Sequence, residues 1–203
     1  MEKLEWVGIE IESDEQADLL IESIIDNQSI KRVSLESSFV GRADANGCRA
    51  LALLMTSGKS FETLDFGYNE LSVIDDVAAA LATNPCLEIL NMSGNELNDR
   101  DAELIAQALK QNTTVRKLRL DRNDFTSAGF GRIRTAIYDP SSLKAMECCN
   151  HTCYIDCVTG NDFDVMPQQR RNRKFYKLMS TRHAEGSNAR HLNAELWEES
   201  CTI

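Results

Sequence analysis

Apolar residues along this chain fall into two alternating rhythms. The first is sharpest at Leu87, Leu90 and Met92, which are followed by Asn95 and Leu97 in the spacing L-x-x-L-x-L-x-x-N-x-L. The same frame stands one unit earlier as Phe61, Leu64, Phe66, Asn69 and Leu71, and one unit later as Val115, Leu118, Leu120, Asn123 and Phe125. Weaker copies begin Leu4/Val7/Ile9, Ile30/Val33/Leu35 and Leu143/Met146/Cys148. Side chains two apart face the same side of an extended chain, so each copy predicts a short strand. The copies start at residues 4, 30, 61, 87, 115 and 143. That regular interval is the mark of a repeat array.

The second rhythm is helical and fills the intervals. Ala17, Leu20, Ile21 and Ile24 precede Asn27; Ile74, Val77, Ala78 and Leu81 precede Asn84; Ala102, Ile105, Ala106 and Leu109 precede Asn112. The spacing i, i+3, i+4, i+7 places each set on one helix face. Gly47, Ala50, Leu51 and Leu54 continue the pattern before Ser57, and Phe130, Ile133 and Ile137 continue it in the fifth unit, where Arg134 replaces the small residue. Recurrent alanine lets each helix lie close against the strands. The expectation is an α/β fold, a right-handed solenoid of five to six repeats with a curved parallel sheet inside and helices outside.

This alternation resembles the leucine-rich repeat of the ribonuclease-inhibitor type. The resemblance covers residues 4–153, and it implies a binding scaffold with no chemistry of its own, since many unrelated roles share this architecture. The ends depart from the frame. Glu12 and Asp14 take the asparagine and final apolar sites of the first unit, Ser38 takes the asparagine site of the second, and His151 that of the sixth. Terminal repeats are expected to be atypical. The first strand is expected three residues after Met1. This predicts either a neighbouring chain over that end or a longer array.

The period breaks after residue 153. The expected organisation is therefore a repeat array over 1–153 and a partly helical capping extension over 154–203. Gly160-Asn161-Asp162 and Pro167 are turn signals. Residues 168–179 predict a basic amphipathic helix with Phe175, Leu178 and Met179 turned inward to shield the open edge. Leu192, Leu196 and Trp197 suggest a short docked helix further on.

Charge sharpens the functional reading. The 203-residue chain has a net charge of −10, concentrated before residue 161, with one local basic cluster at Arg170, Arg171, Arg173, Lys174 and Lys177. An acidic body disfavours broad contact with nucleic acid, which needs cations to replace counterions. No apolar run is long enough for a membrane helix and no secretory leader pattern is present. A cytoplasmic protein with reduced cysteines is expected.

Candidate chemistry is sparse. Asn69, Asn95 and Asn123 are expected to form a structural ladder, because an amide both donates to and accepts from backbone groups that leave the sheet. Cys148, Cys149, His151, Cys153 and Cys157 have metal-ligand chemistry. The repeat frame, however, claims Cys148 and Cys153 for the core and His151 for the ladder, so no metal site is assigned. No cofactor loop or nucleophile motif is present, and the expectation is a non-enzyme without cofactors. Partner-binding residues are sought on the concave sheet face and its loop edge: Trp6, Arg32, Asp65, Tyr68, Ile89, Asn91, Lys117, Arg119 and Arg122. Aromatic and arginine side chains are the types enriched at binding hot spots. The expected function is protein–protein interaction as a scaffold or inhibitor. The alternatives are regulation of a small GTPase and service as the recognition segment of a larger sensor.

Overall fold

The computed structural model describes residues 2–40, 45–157 and 167–184. Six strands lie parallel in chain order in a single sheet: β1 (Lys3–Glu5), β2 (Arg32–Ser34), β3 (Phe61–Asp65), β4 (Leu87–Asn91), β5 (Lys117–Arg119) and β6 (Tyr154–Ile155). Helices α1 (Asp14–Asp26), α2 (Ala45–Thr56), α3 (Asp75–Ala82), α4 (Asp99–Gln111) and α5 (Ser127–Ile137) return the chain between successive strands. Two further helices, α6 (Leu143–Glu147) and α7 (Pro167–Ala184), flank β6.

The sheet register places Leu4, Val33, Leu64, Leu90, Leu118 and Ile155 in one inward row. From Val33 onward every member is buried. A fully buried leucine contributes about 2 kcal/mol relative to an exposed one, so this row is the spine of the fold. The helices close it from the other side through the sequence-predicted faces, including Ile21 and Ile24, Val77 and Leu81, and Ile105 and Leu109. Helix starts are set by polar residues: the Ser13 hydroxyl accepts from Gln16 N–H, and Asn98 and Asp101 form a reciprocal box. Asp101 is fully buried, and its second oxygen accepts from the Ile74 N–H at 3.2 Å, tying α4 to the preceding repeat.

The ends differ from the expected frame. The sixth strand is Tyr154–Ile155, not 143–148; residues 143–147 form α6 instead, with the Ser142 hydroxyl capping it at the Ala145 N–H. The array therefore runs past residue 153. Cys148 is consequently exposed, Cys149 lies buried beneath the chain with its Sγ accepting from Asp139 N–H, and Cys153 fills the first apolar site before β6. His151 falls outside the strand-exit turn. At the other end, Leu4 pairs with Val33 rather than Ile30, so β1 sits three residues off the expected frame and Val7 and Ile9 are exposed. The expected short helix around Leu192 to Trp197 lies outside the described residues.

Helix α7 is longer than the segment predicted for it. Leu178 is buried and Phe175 and Met179 are half-buried, as the helical face requires. Arg170 is buried as well, donating to the Thr152 carbonyl at 2.6 Å, and the Lys174 ammonium donates to the Asn150 carbonyl at 2.8 Å.

Candidate functional site

The concave face is built from the strand residues that alternate with the buried row. Its first line, from the register, is Lys3, Arg32, Thr63, Ile89, Lys117 and Tyr154. Its second is Glu5, Ser34, Asp65, Asn91 and Arg119. Ile89 and Lys117 are therefore direct neighbours, as are Asn91 and Arg119. The Lys117 ammonium lies 6.0 Å from the centre of the Tyr154 ring. Arg32 on β2, three strands from Lys117, stands beside Glu2 and Glu62, at 3.9 and 3.8 Å.

A polar network crosses this face. Asn91 Nδ2 donates to Asp65 Oδ1 at 2.9 Å, Asn91 Oδ1 accepts from Ser93 N–H at 3.0 Å, and the Ser93 hydroxyl donates to Asp121 Oδ1 at 2.6 Å. Asn91 is buried by these contacts and serves to order the surface rather than to offer a free amide. The Ser93 hydrogen bond holds the Asp121 carboxyl below its ordinary range, whereas burial raises that of the adjoining Asp156. The neighbouring Asp121 carboxylate adds to the upward shift of Asp156.

The loop edge has its own regularity. Gly8, Ser37, Tyr68, Gly94 and Arg122 occupy the same turn in successive repeats, all with φ between 53° and 67°. In the first four, the N–H donates to a carbonyl of the next repeat, as Tyr68 does to Ser93 and Gly94 to Asp121, both at 2.9 Å. Left-handed backbone is free for glycine but costs about 1–2 kcal/mol for other residues. Tyr68 and Arg122 bear that strain, and their side chains meet: Arg122 Nη1 donates to the Tyr68 hydroxyl at 2.6 Å. Gly94, in the repeat between them, makes this possible. A Cβ there would stand 2.5 Å from the Tyr68 ring. The result is an ordered, exposed clasp spanning three repeats.

Asparagines hold the strand exits beneath this edge. Asn95 Oδ1 accepts from the Asn69 and Leu71 N–H groups at 2.9 and 3.0 Å, while its Nδ2 donates to the Phe66, Met92 and Ser93 carbonyls. Asn69 does the same for Ser38 N, Phe39 N and Leu35 O, and Asn123 for Leu97 N, Met92 O and Leu120 O. Ser38 has the shorter equivalent, its hydroxyl donating to the Trp6 carbonyl at 2.6 Å.

Of the residues the sequence singled out, Asp65, Ile89, Asn91, Lys117 and Arg119 are adjacent on the face, and Tyr68 and Arg122 are bonded at its edge. Trp6 is not on the face. The β1 register aligns it with Leu35, so its ring packs against the core and its indole N–H donates to the Ile9 carbonyl at 3.0 Å. Tyr154 and Asp156 belong to the face and were missed, because the last strand was placed too early. A signal for them exists in Asn27-Gln28-Ser29-Ile30, Asn112-Thr113-Thr114-Val115 and Asn150-His151-Thr152-Cys153, the same four-residue approach to a strand. Asn112 and Asn150 accept from the two N–H groups that lead into the strand, at 3.1 and 2.9 Å and at 2.8 and 2.7 Å.

The frame and the sheet define an α/β solenoid built of leucine-rich repeats. A family model described as Leucine Rich repeat matches residues 83–106 and 111–130. The chain is 26% identical over 131 residues to human "Capping protein, Arp2/3 and myosin-I linker protein 3", with the same match in the rat and mouse proteins; this covers 63% of the chain and 10% of the relative. The structure of the leiomodin-1 actin-binding site 2 superposes with a TM-score of 0.55 at 15% identity, covering 87% of this chain and 96% of that one. That likeness is one of fold. No helix among the described residues is long and apolar enough to cross a membrane, and no metal-ligating cluster is present among them.

Proposed function

We propose that this chain is a non-catalytic interaction module that binds a protein of the actin-assembly machinery in the cytoplasm. The contact surface is the concave face over β3–β5 together with the Tyr68–Arg122 clasp. The observation that carries this reading is the strained pair itself. Tyr68 and Arg122 occupy turns where Gly8 and Gly94 show that glycine fits without strain. Strain kept at an exposed aromatic and an exposed arginine supports a role outside the fold. The clasp is also ordered before any partner arrives, which lowers the entropy cost of association. The partner class rests on the relative, whose name describes a linker of capping protein, Arp2/3 and myosin-I.

The test is direct binding by the full chain to actin monomers, actin filaments, capping protein and Arp2/3 complex, each measured by biolayer interferometry. Arg119→Glu/Arg122→Glu is the matched variant, since both side chains are exposed. Submicromolar to micromolar binding to one of these proteins, weakened tenfold or more in the variant, is expected. Binding to none of them refutes the partner class. Binding unaffected by the variant refutes the surface.

A further inference from the structure

The sheet has an open edge at β1, which pairs only with β2 among the described residues. The Trp6 and Gly8 N–H groups donate to the Ser34 and Glu36 carbonyls at 2.8 and 2.9 Å, and the Glu2 carbonyl accepts from the Arg32 N–H at 3.0 Å. Backbone groups alternate sides along a strand, so those of Lys3 and Glu5 point away from β2, along the open edge. The core is unfinished here too. Leu4, Trp6 and Leu20 pack against it but are only half-buried, while their equivalents in the second repeat, Val33, Leu35 and Ala50, are buried. An open edge beside incompletely covered apolar side chains is a template for pairing with another chain.

Charge decides what fits that edge. The strand reads Lys3-Leu4-Glu5, with opposite charges placed symmetrically about an apolar residue. Turned antiparallel to itself about a two-fold axis at Leu4, it sets Lys3 opposite Glu5 of the second copy and Glu5 opposite Lys3 of the second copy. These are the residues whose backbone groups face outward, so each opposed pair exchanges both of its backbone hydrogen bonds. Leu4 meets Leu4 of the second copy on the core side. Lys3 and Glu5 are ion-paired within the strand at 2.5 Å, so two copies complete an alternating square of charge on the concave face. The next register in either direction that keeps these bonds opposes Lys3 to Lys3 or Glu5 to Glu5, which like-charge repulsion disfavours. An edge guarded against association carries charges that repel its own copy; this one attracts it.

The helical layer agrees with this pairing. Helix α1 carries Asp14, Glu15, Asp18, Glu22 and Asp26, and the Asp18–Arg49 ion pair at 3.1 Å marks the side that faces α2. The opposite flank, turned toward the open end, is Gln16, Leu20 and Ser23, at the i, i+4, i+7 spacing of one helix face. It holds no charge. A two-fold axis perpendicular to the sheet brings the two α1 helices together on that flank, where a carboxylate would meet its own copy.

We propose that two copies of this chain pair through β1, antiparallel about Leu4, into one continuous sheet with both concave faces on the same side. This stands independently of the concave-face reading, because it uses a different surface. The experiment is sedimentation velocity of the full chain at micromolar to sub-millimolar concentrations, for wild type, Lys3→Glu and Glu5→Lys. Both residues are exposed, and circular dichroism melts confirm that each variant keeps the fold. Wild type is expected to double its mass as concentration rises. Each single variant opposes like charges across the axis and is expected to dimerise roughly tenfold more weakly or worse. Mixed together, the two variants oppose unlike charges again and are expected to associate as wild type does, and so is Lys3→Glu/Glu5→Lys. A wild-type chain that stays monomeric, single variants that dimerise as tightly as wild type, or a mixture no tighter than either variant alone overturns the proposal.

Discussion

Asn95 offers the most demanding test of how this array is held together. Replacing it with alanine removes the acceptor of two buried backbone donors, the N–H groups of Asn69 and Leu71. It also removes the donor to the Phe66 carbonyl, whereas the Met92 carbonyl keeps its bond from Asn123 at 3.0 Å. Each orphaned buried group costs about 1–3 kcal/mol, and water entering the vacated space offsets part of that. A net loss of about 3 kcal/mol follows. For a chain of this size that corresponds to a fall in Tm of roughly 6–12 °C. The assay is a thermal melt followed by circular dichroism, with Glu96→Ala as the control because Glu96 is exposed next door. Asn95→Asp keeps the acceptor but turns a carboxylate toward carbonyl oxygens, and is expected to be no better than alanine at neutral pH. A fall for Asn95→Ala within about 2 °C of the control would show that the ladder hydrogen bonds do not stabilise the fold as reasoned.

Three further outcomes are expected. Arg122→Gly should leave the melt within about 1 kcal/mol of wild type, since relief of left-handed strain offsets glycine's added entropy, yet it should abolish partner binding; a loss of stability without a loss of binding would contradict the role given to the clasp. Gly94→Ala places a methyl group into the Tyr68 ring at a φ of 67° and should cost about 1–3 kcal/mol, read by urea denaturation. His151 is held down to about 4 by burial and by Lys174 and Arg171 nearby. Because the folded state resists protonation more than the unfolded chain, stability is full above about pH 6.5 and declines as pH falls toward 4. Protection of α7 amides against hydrogen exchange, after correction for the pH dependence of the intrinsic rate, should fall over that window, and His151→Leu should flatten the dependence.

The parts of the fold legible in the sequence are those with periodic obligations. Leu90 must be apolar and Asn95 must be an amide wherever the strand–turn unit recurs, so their spacing gives the unit away. The end repeats carry weaker obligations. Leu143, Met146 and Cys148 fit a strand frame, but Leu143 to Met146 is equally one helical turn, and the Ser142 cap decides for the helix. Leu4 and Trp6 form an i, i+2 pair as good as Val7 and Ile9, and only pairing with β2 selects between them. The site was legible in part. Alternation names Ile89, Lys117 and Arg119, but the bond between Tyr68 and Arg122 joins residues 54 apart. It depends on backbone dihedrals and on the absence of a side chain at Gly94. Neither leaves a trace in hydrophobic spacing.

The parallel register also acts as a ruler. Adjacent strands lie about 4.8 Å apart, so a partner laid across the face meets one side chain of a given line at that interval. A partner α-helix advances about 5.4 Å per turn. The two pitches slip past one another by about 0.6 Å at each strand, from those same spacings. Across β3, β4 and β5 the accumulated slip is only about 1 Å, within the reach of a lysine or arginine side chain; across all six strands it grows to about 3 Å. A straight helical partner would therefore stay in step with Thr63, Ile89 and Lys117 and fall out of step beyond them. The length of a well-matched helical footprint is thus set by the mismatch of two backbone geometries, before any side chain is chosen.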